Sequence, residues 1–477
     1  MTTFLWHDYE TFGANPRFDR PAQFAAIRTD TDLNPIGEPI EWFCKPPTDQ
    51  LPSPEACLIT GITPQMAEER GVIEPEFIRL VLGELGAPGT IGVGYNSLRF
   101  DDEVTRHTAW RNFHDPYARE WRNGCGRWDI IDMVRLTYAL RPEGIEWPLR
   151  EDGQPSFKLE HLATANHLEQ QQAHDAVSDV RATIALAGLI RDRQPRLYDF
   201  VWGNRDKASA RRMLDLDNHV PVLHISEKFP AAQGCLSLVM PICPHPTNGN
   251  AVIAYDLRQD PQALIDLPAV DVHERIFTPR ADLPEDVERI ALKGIHVNRA
   301  PVLVPVNTLK PDQAERLALD LDQCRQHWKR LADSLDSVAE KVSAVFAMAE
   351  FDAPNDPEQD LYGGFVDNDD RRLCDRVLQM APAEFDGLEL PFRDKRLHDL
   401  LLRYRGRYYP ESLNDAERDE WNQFRSNRLE FAPDGGLSLG DFDETITLLR
   451  ARCADEPTAI EVLEALSDWG RQLTDSL

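Results

Sequence analysis

The sequence has no stretch that resembles a membrane span, a secretion signal or a disulfide framework. Its 477 residues include eight cysteines, but none form a C-x-x-C pair, and scattered thiols of this kind are typical of reduced, mostly buried side chains. No apolar run approaches the ~20 residues that cross a bilayer. The chain also does not open on a basic segment followed by a long apolar one. We therefore expect a cytoplasmic protein without membrane contacts.

Basic residues are scarce: 52 Lys and Arg stand against 81 Asp and Glu, giving a net charge of −29. Nucleic-acid-binding proteins usually carry a basic footprint, so this balance argues at first against a polyanionic partner. Net charge governs solubility and long-range steering, however, and does not determine the sign of the charge in any one groove. The basic residues are mostly Arg, whose guanidinium is well suited to phosphate.

The sequence lacks internal repeats and low-complexity tracts, and its length excludes a single ordinary core. At 477 residues it exceeds the ~250–300 at which one hydrophobic core stops growing. We predict an α/β domain at 1–194, a domain of short strands with flanking helices at 195–350, and a helical domain at 351–477. The segment 351–360, which is rich in acidic residues and proline, is predicted to be a linker.

The first predicted strand ends in two carboxylates. Apolar Phe4 to Trp6 lead into Asp8 and Glu10, and residues two apart on a strand point to the same face. Like charges held side by side favour a neutralising cation, and carboxylate oxygens suit Mg²⁺ or Mn²⁺. On this stretch alone, a strand that runs out into a solvated acidic loop is the simpler interpretation.

A second group of polar residues follows the strand predicted at 91–95. Asn96, Arg99 and Asp101 come directly after it. An acidic residue at a helix start usually complements the helix dipole, but the carboxyl ends of strands are also where α/β sheets bind ligands. Asp101 is therefore a candidate ligand only in combination with the other carboxylates.

The third stretch, residues 173–190, has a helical stripe of apolar residues, with Asp175 as a possible N-cap. Asp179 lies at the edge of this stripe, and an acidic residue beside a buried face needs a partner such as a metal. His174 precedes the helix, where it could approach a water molecule. Four carboxylates and one His on a strand, a strand end and a helix together indicate a metal-dependent nuclease.

The order D-x-E, then D, then H-x-x-x-x-D resembles the DEDD superfamily of 3′→5′ exonucleases, in the subclass that uses His. Longer strings resemble the bacterial exodeoxyribonuclease I family over essentially the whole chain, among them H-D-Y-E-T-F-G, G-Y-N-S-L-R-F-D-D-E-V-T-R, A-L-R-P-E-G-I and H-V-N-R-A-P-V-L-V-P-V-N-T-L. The resemblance implies an α/β, RNase H-like exonuclease domain, then an SH3-like β-barrel domain and a C-terminal α-helical domain.

The resemblance also implies the chemistry. Asp8, Glu10, Asp101 and Asp179 would bind two Mg²⁺ ions, for which Mn²⁺ could substitute, and His174 would be the general base. Two metal ions can activate a water and stabilise the leaving oxygen, and a His titrates near neutral pH. The implied activity is degradation of single-stranded DNA from its 3′ end to 5′-mononucleotides, in DNA repair and recombination.

Arginines interleave with tyrosines between residues 395 and 409, as a channel for single-stranded DNA requires. Our candidate DNA contacts are Arg99, Arg396, Arg403, Tyr404 and Arg407. An amphipathic helix with inward leucines and solvated arginines explains the same pattern equally well.

The resemblance implies one protein partner, the single-stranded-DNA-binding protein, whose acidic tail ends in an apolar residue. Arg141 is our candidate for the contact with this tail, with Lys329 and Arg330 as weaker ones. We expect a monomer. Two alternatives stay open: another DEDD exonuclease, acting on RNA or in proofreading, and a catalytically silent DNA-binding adaptor.

Overall fold

The structure is a computed structural model that describes residues 1–168, 176–349, 354–433 and 435–477. The strands, in chain order, are β1 (Thr3–Thr11), β2 (Pro21–Thr29), β3 (Ile40–Phe43), β4 (Thr90–Gly94), β5 (Gly126–Asp129), β6 (Val222–Ile225), β7 (Leu236–Pro244), β8 (Ala251–Asp256), β9 (Leu292–His296) and β10 (Leu303–Pro305).

The α-helices, in chain order, are α1 (Pro54–Thr60), α2 (Pro64–Arg70), α3 (Glu74–Leu85), α4 (Asp101–Arg111), α5 (Ile131–Leu140), α6 (Leu159–Ala165), α7 (Ala176–Arg193), α8 (Pro195–Gly203), α9 (Lys207–Met213), α10 (Gln262–Asp266), α11 (Ala269–Phe277), α12 (Pro311–Arg316), α13 (Leu321–Asp333), α14 (Leu335–Ala347), α15 (Asn368–Gln379), α16 (Lys395–Tyr408), α17 (Asp415–Phe431), α18 (Leu439–Arg452) and α19 (Pro457–Asp475). Among the described residues, none of these helices is long and apolar enough to span a bilayer.

The chain divides into two compact units. The first contains Met1–Gly126, Gln170–Arg181 and Asp352–Leu477, and the second contains Arg127–Glu169 and Ala182–Phe351. The C-terminal helices α15 to α19 thus belong to the same unit as strands β1 to β4.

The sheet of the first unit is centred on β1. This strand pairs antiparallel with β2 and parallel with β4, and β2 pairs antiparallel with β3. Leu5 and Trp6 of β1 are fully buried, so the apolar start of the strand anchors the sheet before the chain reaches Asp8. The short apolar runs at 24–29 and 41–44 also predict strands, and β2, β3 and β4 confirm these two and the strand predicted at 91–95.

Apolar contacts join the N-terminal and C-terminal parts of the first unit. Phe12 and Phe43 share a buried cluster with Phe442, Leu466 and Trp469 of α18 and α19. A second cluster contains Trp110, Phe113, Leu361, Leu397 and Tyr404. The helices after residue 368 therefore complete the core of this unit.

The second unit contains a five-stranded antiparallel sheet in the order β10-β6-β7-β8-β9. Its buried cluster includes Val222, Val239, Ala254 and Ile295. The short apolar runs at 220–226, 235–243, 251–257 and 302–306 predict strands, and β6, β7, β8 and β10 confirm these predictions. Strand β9 was not predicted, because its five residues L-K-G-I-H include a lysine and a glycine and show no clear alternation.

The segment predicted to be a linker has two buried acidic residues where the structure describes it. Asp356 and Glu358 are 3% and 2% exposed. Glu358 accepts hydrogen bonds from Arg20 at 2.7 Å and from Arg428 at 3.2 Å, and Asp356 accepts from Arg428 at 3.3 Å. Its acidic residues are therefore partners of buried arginines, which the sequence alone does not show.

Candidate metal centre

Three carboxylates meet at the end of β1. Asp8 and Glu10 extend from the same face of the strand, and the first turn of α7 brings Asp179 to them. One carboxylate oxygen of each residue lies within 4.8 Å of the other two. This set of hard oxygen donors fits a divalent cation such as Mg²⁺ or Mn²⁺.

Asp101, the fourth predicted ligand and the first residue of α4, lies beside the three carboxylates that meet within 4.8 Å, and its role as a metal ligand stays a prediction. Its carboxylate accepts a hydrogen bond from the backbone N–H of Tyr9 at 3.0 Å, and the residue is 4% exposed. Tyr9 stands between Asp8 and Glu10 on β1, so this bond fixes the start of α4 to the metal-binding strand. Burial and then the negative charge of Asp8 raise the pKa of Asp101.

Burial and the charge of a neighbouring carboxylate dominate the electrostatics of Asp8. Burial, followed by the charge of Asp179, raises the pKa of Asp8 from 3.8 to about 7, against the opposing hydrogen bond from the backbone of Tyr9. Desolvation and like charges both disfavour the ionised form. A divalent cation would reverse both effects, and this is the electrostatic reason for placing the carboxylates together.

A side-chain hydrogen bond also holds α4 against β1. The hydroxyl of Thr105 lies 3.0 Å from the Tyr9 hydroxyl and 2.9 Å from the carbonyl oxygen of Asp101. Asp102 forms a buried ion pair with Arg119. The sequence interpretation missed Tyr9, Thr105 and Arg119. Their roles depend on tertiary contacts, and no local pattern marks them.

The roles predicted for His174 and Arg99 stay predictions. His174 lies outside the described residues, as does Asp175, the predicted N-cap of α7, so the role of His174 as general base stays a prediction. Arg99 lies half-buried in the turn between β4 and α4, where its backbone N–H donates to the carbonyl of Asn96 at 3.4 Å. Its contact with DNA also stays a prediction.

The structure places two of the arginines predicted to contact DNA from α16 in ion pairs with buried carboxylates. The side chain of Arg407 is 3% exposed and pairs with Asp49 at 2.7 Å and with Glu358. Arg403 pairs with Asp356, which is 1% exposed at its side chain. Guanidinium groups held in this way by buried carboxylates are not available to follow a phosphate backbone.

Tyr404 and Arg396 are also structural. Tyr404 is 5% exposed and packs edge-on against Phe113, with ring centroids 5.4 Å apart. Arg396 is 15% exposed at its side chain, pairs with Asp394 at 2.7 Å and donates to the carbonyl of Gly364 at 3.0 Å. The alternating arginines and tyrosines of α16 therefore serve the core and its ion pairs.

Arg141 follows the last residue of α5 in the second unit. Its guanidinium donates to the carbonyl oxygens of Leu140 at 2.5 Å and of Thr308 at 3.4 Å, and the residue is half-buried. Lys329 is exposed, and Arg330 pairs with Asp260 at 2.9 Å. Of the three predicted partner contacts, Arg330 thus already has a carboxylate of the protein itself.

Comparison with known proteins agrees with this architecture. The family model described as Exonuclease matches residues 5–187, the Exonuclease I SH3-like domain matches 205–348, and the Exonuclease I C-terminal domain matches 355–473. The chain is 43% identical over 474 residues to exodeoxyribonuclease I of Escherichia coli, covering 99% of this chain and 98% of that one. The chain belongs to the exonuclease I family. The predicted family, fold class and nuclease assignment are confirmed.

Solved structures of the family share the fold. Exonuclease I from the moderately thermophilic Methylocaldum szegediense has a TM-score of 0.94 at 49% identity, covering 99% of this chain and 100% of that one. Escherichia coli exonuclease I in complex with a dA16 oligonucleotide has a TM-score of 0.94 at 43% identity, with the same coverage. An SSB/exonuclease I structure with the inhibitor CFAM has a TM-score of 0.92 at 41% identity, again with that coverage. A zinc-bound form of the Escherichia coli enzyme with single-stranded DNA has a TM-score of 0.93 at 43% identity, also with that coverage.

Proposed function

We propose that this exonuclease degrades single-stranded DNA from its 3′ end and releases 5′-mononucleotides, in DNA repair and recombination. The observation that carries the proposal is the convergence of Asp8, Glu10 and Asp179 beside Asp101. The similarity to Escherichia coli exonuclease I, which has been solved with an oligonucleotide of single-stranded DNA, supports the choice of substrate.

Asp8, Glu10 and Asp179 would hold the catalytic cation, and Asp101 would complete a site for two ions. The donors are carboxylate oxygens, which favour Mg²⁺, and Mn²⁺ could substitute. When bound, two divalent cations lower the pKa of the attacking water and stabilise the departing 3′-oxygen. The Escherichia coli relative that has been solved in a zinc-bound form supports the binding of a divalent ion.

The residues of the chain supply position and proton transfer. The backbone N–H of Tyr9 orients the Asp101 carboxylate, and the packing of Thr105 against Tyr9 keeps the start of α4 in place. His174 would accept the proton of the attacking water as general base. Because the carboxylates are set before substrate binds, little reorganisation is needed during the reaction.

The test is release of mononucleotides from end-labelled single-stranded DNA, with Mg²⁺ and with a chelator. Glu10→Gln and Asp179→Asn are expected to lose nearly all activity, whereas Glu38→Gln, an exposed acidic residue away from the centre, should keep the wild-type rate. A wild-type rate in either site variant would remove that residue from the centre. Preference for RNA would instead favour another DEDD exonuclease, and binding without hydrolysis would favour an adaptor.

We further propose that the acidic tail of the single-stranded-DNA-binding protein docks beside Arg141. The guanidinium of Arg316 lies over the ring of Tyr138, 5.2 Å from its centroid, and Tyr138 packs against Trp147 at 5.3 Å. An apolar residue and a carboxylate at the end of a peptide need this combination of aromatic rings and guanidinium groups. The SSB/exonuclease I structure supports the partner.

The docking test is titration of a labelled tail peptide against the wild type, Arg141→Ala and a control, Arg150→Ala. Arg150 is exposed and lies near an acidic residue, Asp152, at 3.6 Å. We expect weaker binding for Arg141→Ala alone, and weaker binding of the wild type as salt rises. Equal affinities would clear Arg141 of this role. The monomeric state and the cytoplasmic location stay predictions.

A further inference from the structure

The turn that follows the metal-binding strand carries an exposed arginine. Residues 12–20 connect β1 to β2. The backbone N–H of Asn15 donates to the Asp19 carboxylate at 2.8 Å, and the side chain of Asn15 accepts from the N–H of Arg17 at 3.1 Å. A Cβ at Gly13 would stand 2.2 Å from the Asp19 carboxylate. The turn is therefore closed on itself and presents Arg17 in a fixed place.

Arg17 is exposed and has no ion pair within the part of the chain that the structure describes. This is unusual in a protein where acidic residues outnumber basic ones and most arginines described above are paired. Its guanidinium lies over the ring of Tyr362, 5.8 Å from the ring centroid. The basic group thus stands beside an aromatic face near the end of β1, where Glu10 is located.

The ring of Tyr362 is held in position at its hydroxyl and packs edge-on against His107, with ring centroids 5.9 Å apart. The hydroxyl donates to Glu103 at 2.6 Å and accepts from Arg106 at 3.1 Å. Both partners belong to α4, the helix that begins with Asp101. Tyr362 is nevertheless 47% exposed, and Phe365, three residues later, is 86% exposed. Exposed rings of this kind on a rigid support are what bases stack on.

We propose that Arg17 and Tyr362 form a substrate-binding site for single-stranded DNA close to the metal centre. A base stacks on the exposed face of Tyr362, and the guanidinium of Arg17 binds a phosphate of the same strand. This inference rests on the proposed function and adds a contact outside α16. On so acidic a protein, one unpaired guanidinium beside the active site has a large effect on a polyanion.

The test compares Arg17→Gln with Arg79→Gln. Arg79 is also an exposed arginine, on α3, and pairs with Glu76, so both variants change the net charge equally. We expect Arg17→Gln to raise the KM for single-stranded DNA, to recover its rate at saturating DNA, and to lower the slope of log affinity against log salt by about 0.7, the value for one phosphate contact on a single strand. Equal KM values and slopes in the two variants would overturn the role of Arg17.

Tyr362 is tested by two substitutions. Tyr362→Ala removes the ring and is expected to weaken binding about 5- to 100-fold, the range of one base stack. Tyr362→Phe keeps the ring and loses only its hydrogen bonds to Glu103 and Arg106, so its affinity should stay nearer to the wild type. An affinity for Tyr362→Phe as low as for Tyr362→Ala would overturn the stacking role.

Binding is also measured without hydrolysis, by titrating a fluorescent oligonucleotide in the presence of a chelator. This arm distinguishes the two proposals. If the wild type binds the strand in a manner that depends on Arg17 and Tyr362 but does not cleave it, the proposed activity fails and the binding site stands. If the wild type cleaves DNA and all variants bind equally, the site fails and the activity stands.

Discussion

Arg119 and Asp102 form an ion pair in the protein interior, with each side chain 2% exposed. Asp102 adjoins Asp101, the residue that lies beside the metal-binding carboxylates. Among the described residues, the Nε and Nη1 atoms of Arg119 have no hydrogen-bond partner. A buried guanidinium with one partner is costly. Its positive charge offsets the negative charges gathered at the start of α4, which makes Arg119 a candidate positioning residue.

We expect Arg119→Met to raise the Mg²⁺ concentration needed for half-maximal activity. The change leaves Asp102 buried without its partner, which typically costs about 3–5 kcal/mol and would displace the neighbouring Asp101. Arg119→Lys should recover part of the metal affinity because it restores the charge. Activity measured against Mg²⁺ concentration at saturating DNA checks this.

Arg111→Met is the matched control. Arg111 is an equally buried arginine at the other end of α4, where it pairs with Glu74 at 2.7 Å. Arg111→Met should lower the free energy of unfolding without changing how activity depends on Mg²⁺ concentration. If Arg119→Met also leaves that dependence unchanged, Arg119 supports the fold and not the metal centre.

The raised pKa of Asp8 predicts how the metal-free protein responds to pH. The folded-state pKa of about 7 lies above the pKa of Asp8 in the unfolded chain, so proton binding by Asp8 favours the folded state. This contribution to stability is fully present at low pH and is lost as pH rises through 7. Asp8→Asn removes the cost of ionising a buried carboxylate beside Asp179. In a chelator, the variant should be more stable than the wild type at pH 8, with a smaller difference at pH 5. Urea unfolding at both pH values measures this, and an equal difference at the two would contradict it.

Arg407 provides a test of whether the arginines of α16 stabilise the interior or contact DNA. Because Arg407 binds Asp49 and Glu358 in the interior, Arg407→Ala leaves buried carboxylates short of a partner. We expect a loss of about 3–5 kcal/mol in the free energy of unfolding, with little change in KM for DNA at a temperature where the variant is folded. Arg372→Ala, whose side chain is 79% exposed, should leave stability nearly unchanged. A raised KM without loss of stability would restore Arg407 as a DNA contact.

The sequence predicted the parts of the site that depend on local pattern. Alternation along β1 placed Asp8 and Glu10 on one face, and the apolar stripe of α7 placed Asp179 at its edge; the structure brings these three together. The resemblance to a known family supplied their proposed chemistry. Neither step needs knowledge of which distant residues meet in the fold.

The sequence could not predict which charges are paired with each other. Arg407 and Asp49 are 358 residues apart, so no local sequence pattern shows that this carboxylate pairs with the arginine. The acidic segment at 351–360 was interpreted as a linker for the same reason. Arg17 and Tyr362 are likewise distant in the chain, and each alone is an ordinary surface residue. Contacts of this kind are decided by tertiary packing.

The last prediction concerns His174, whose assignment rests on the family resemblance. A general base accepts the proton of the attacking water, so His174→Ala should lose about 10²–10⁴ in rate while it keeps its affinity for single-stranded DNA and for Mg²⁺. Activity should partly recover as pH rises, because hydroxide then replaces the missing base. His161→Ala, which changes an exposed His, should match the wild type. If the loss for His174→Ala lies wholly in DNA affinity, with no recovery at high pH, His174 binds substrate and another group takes the proton.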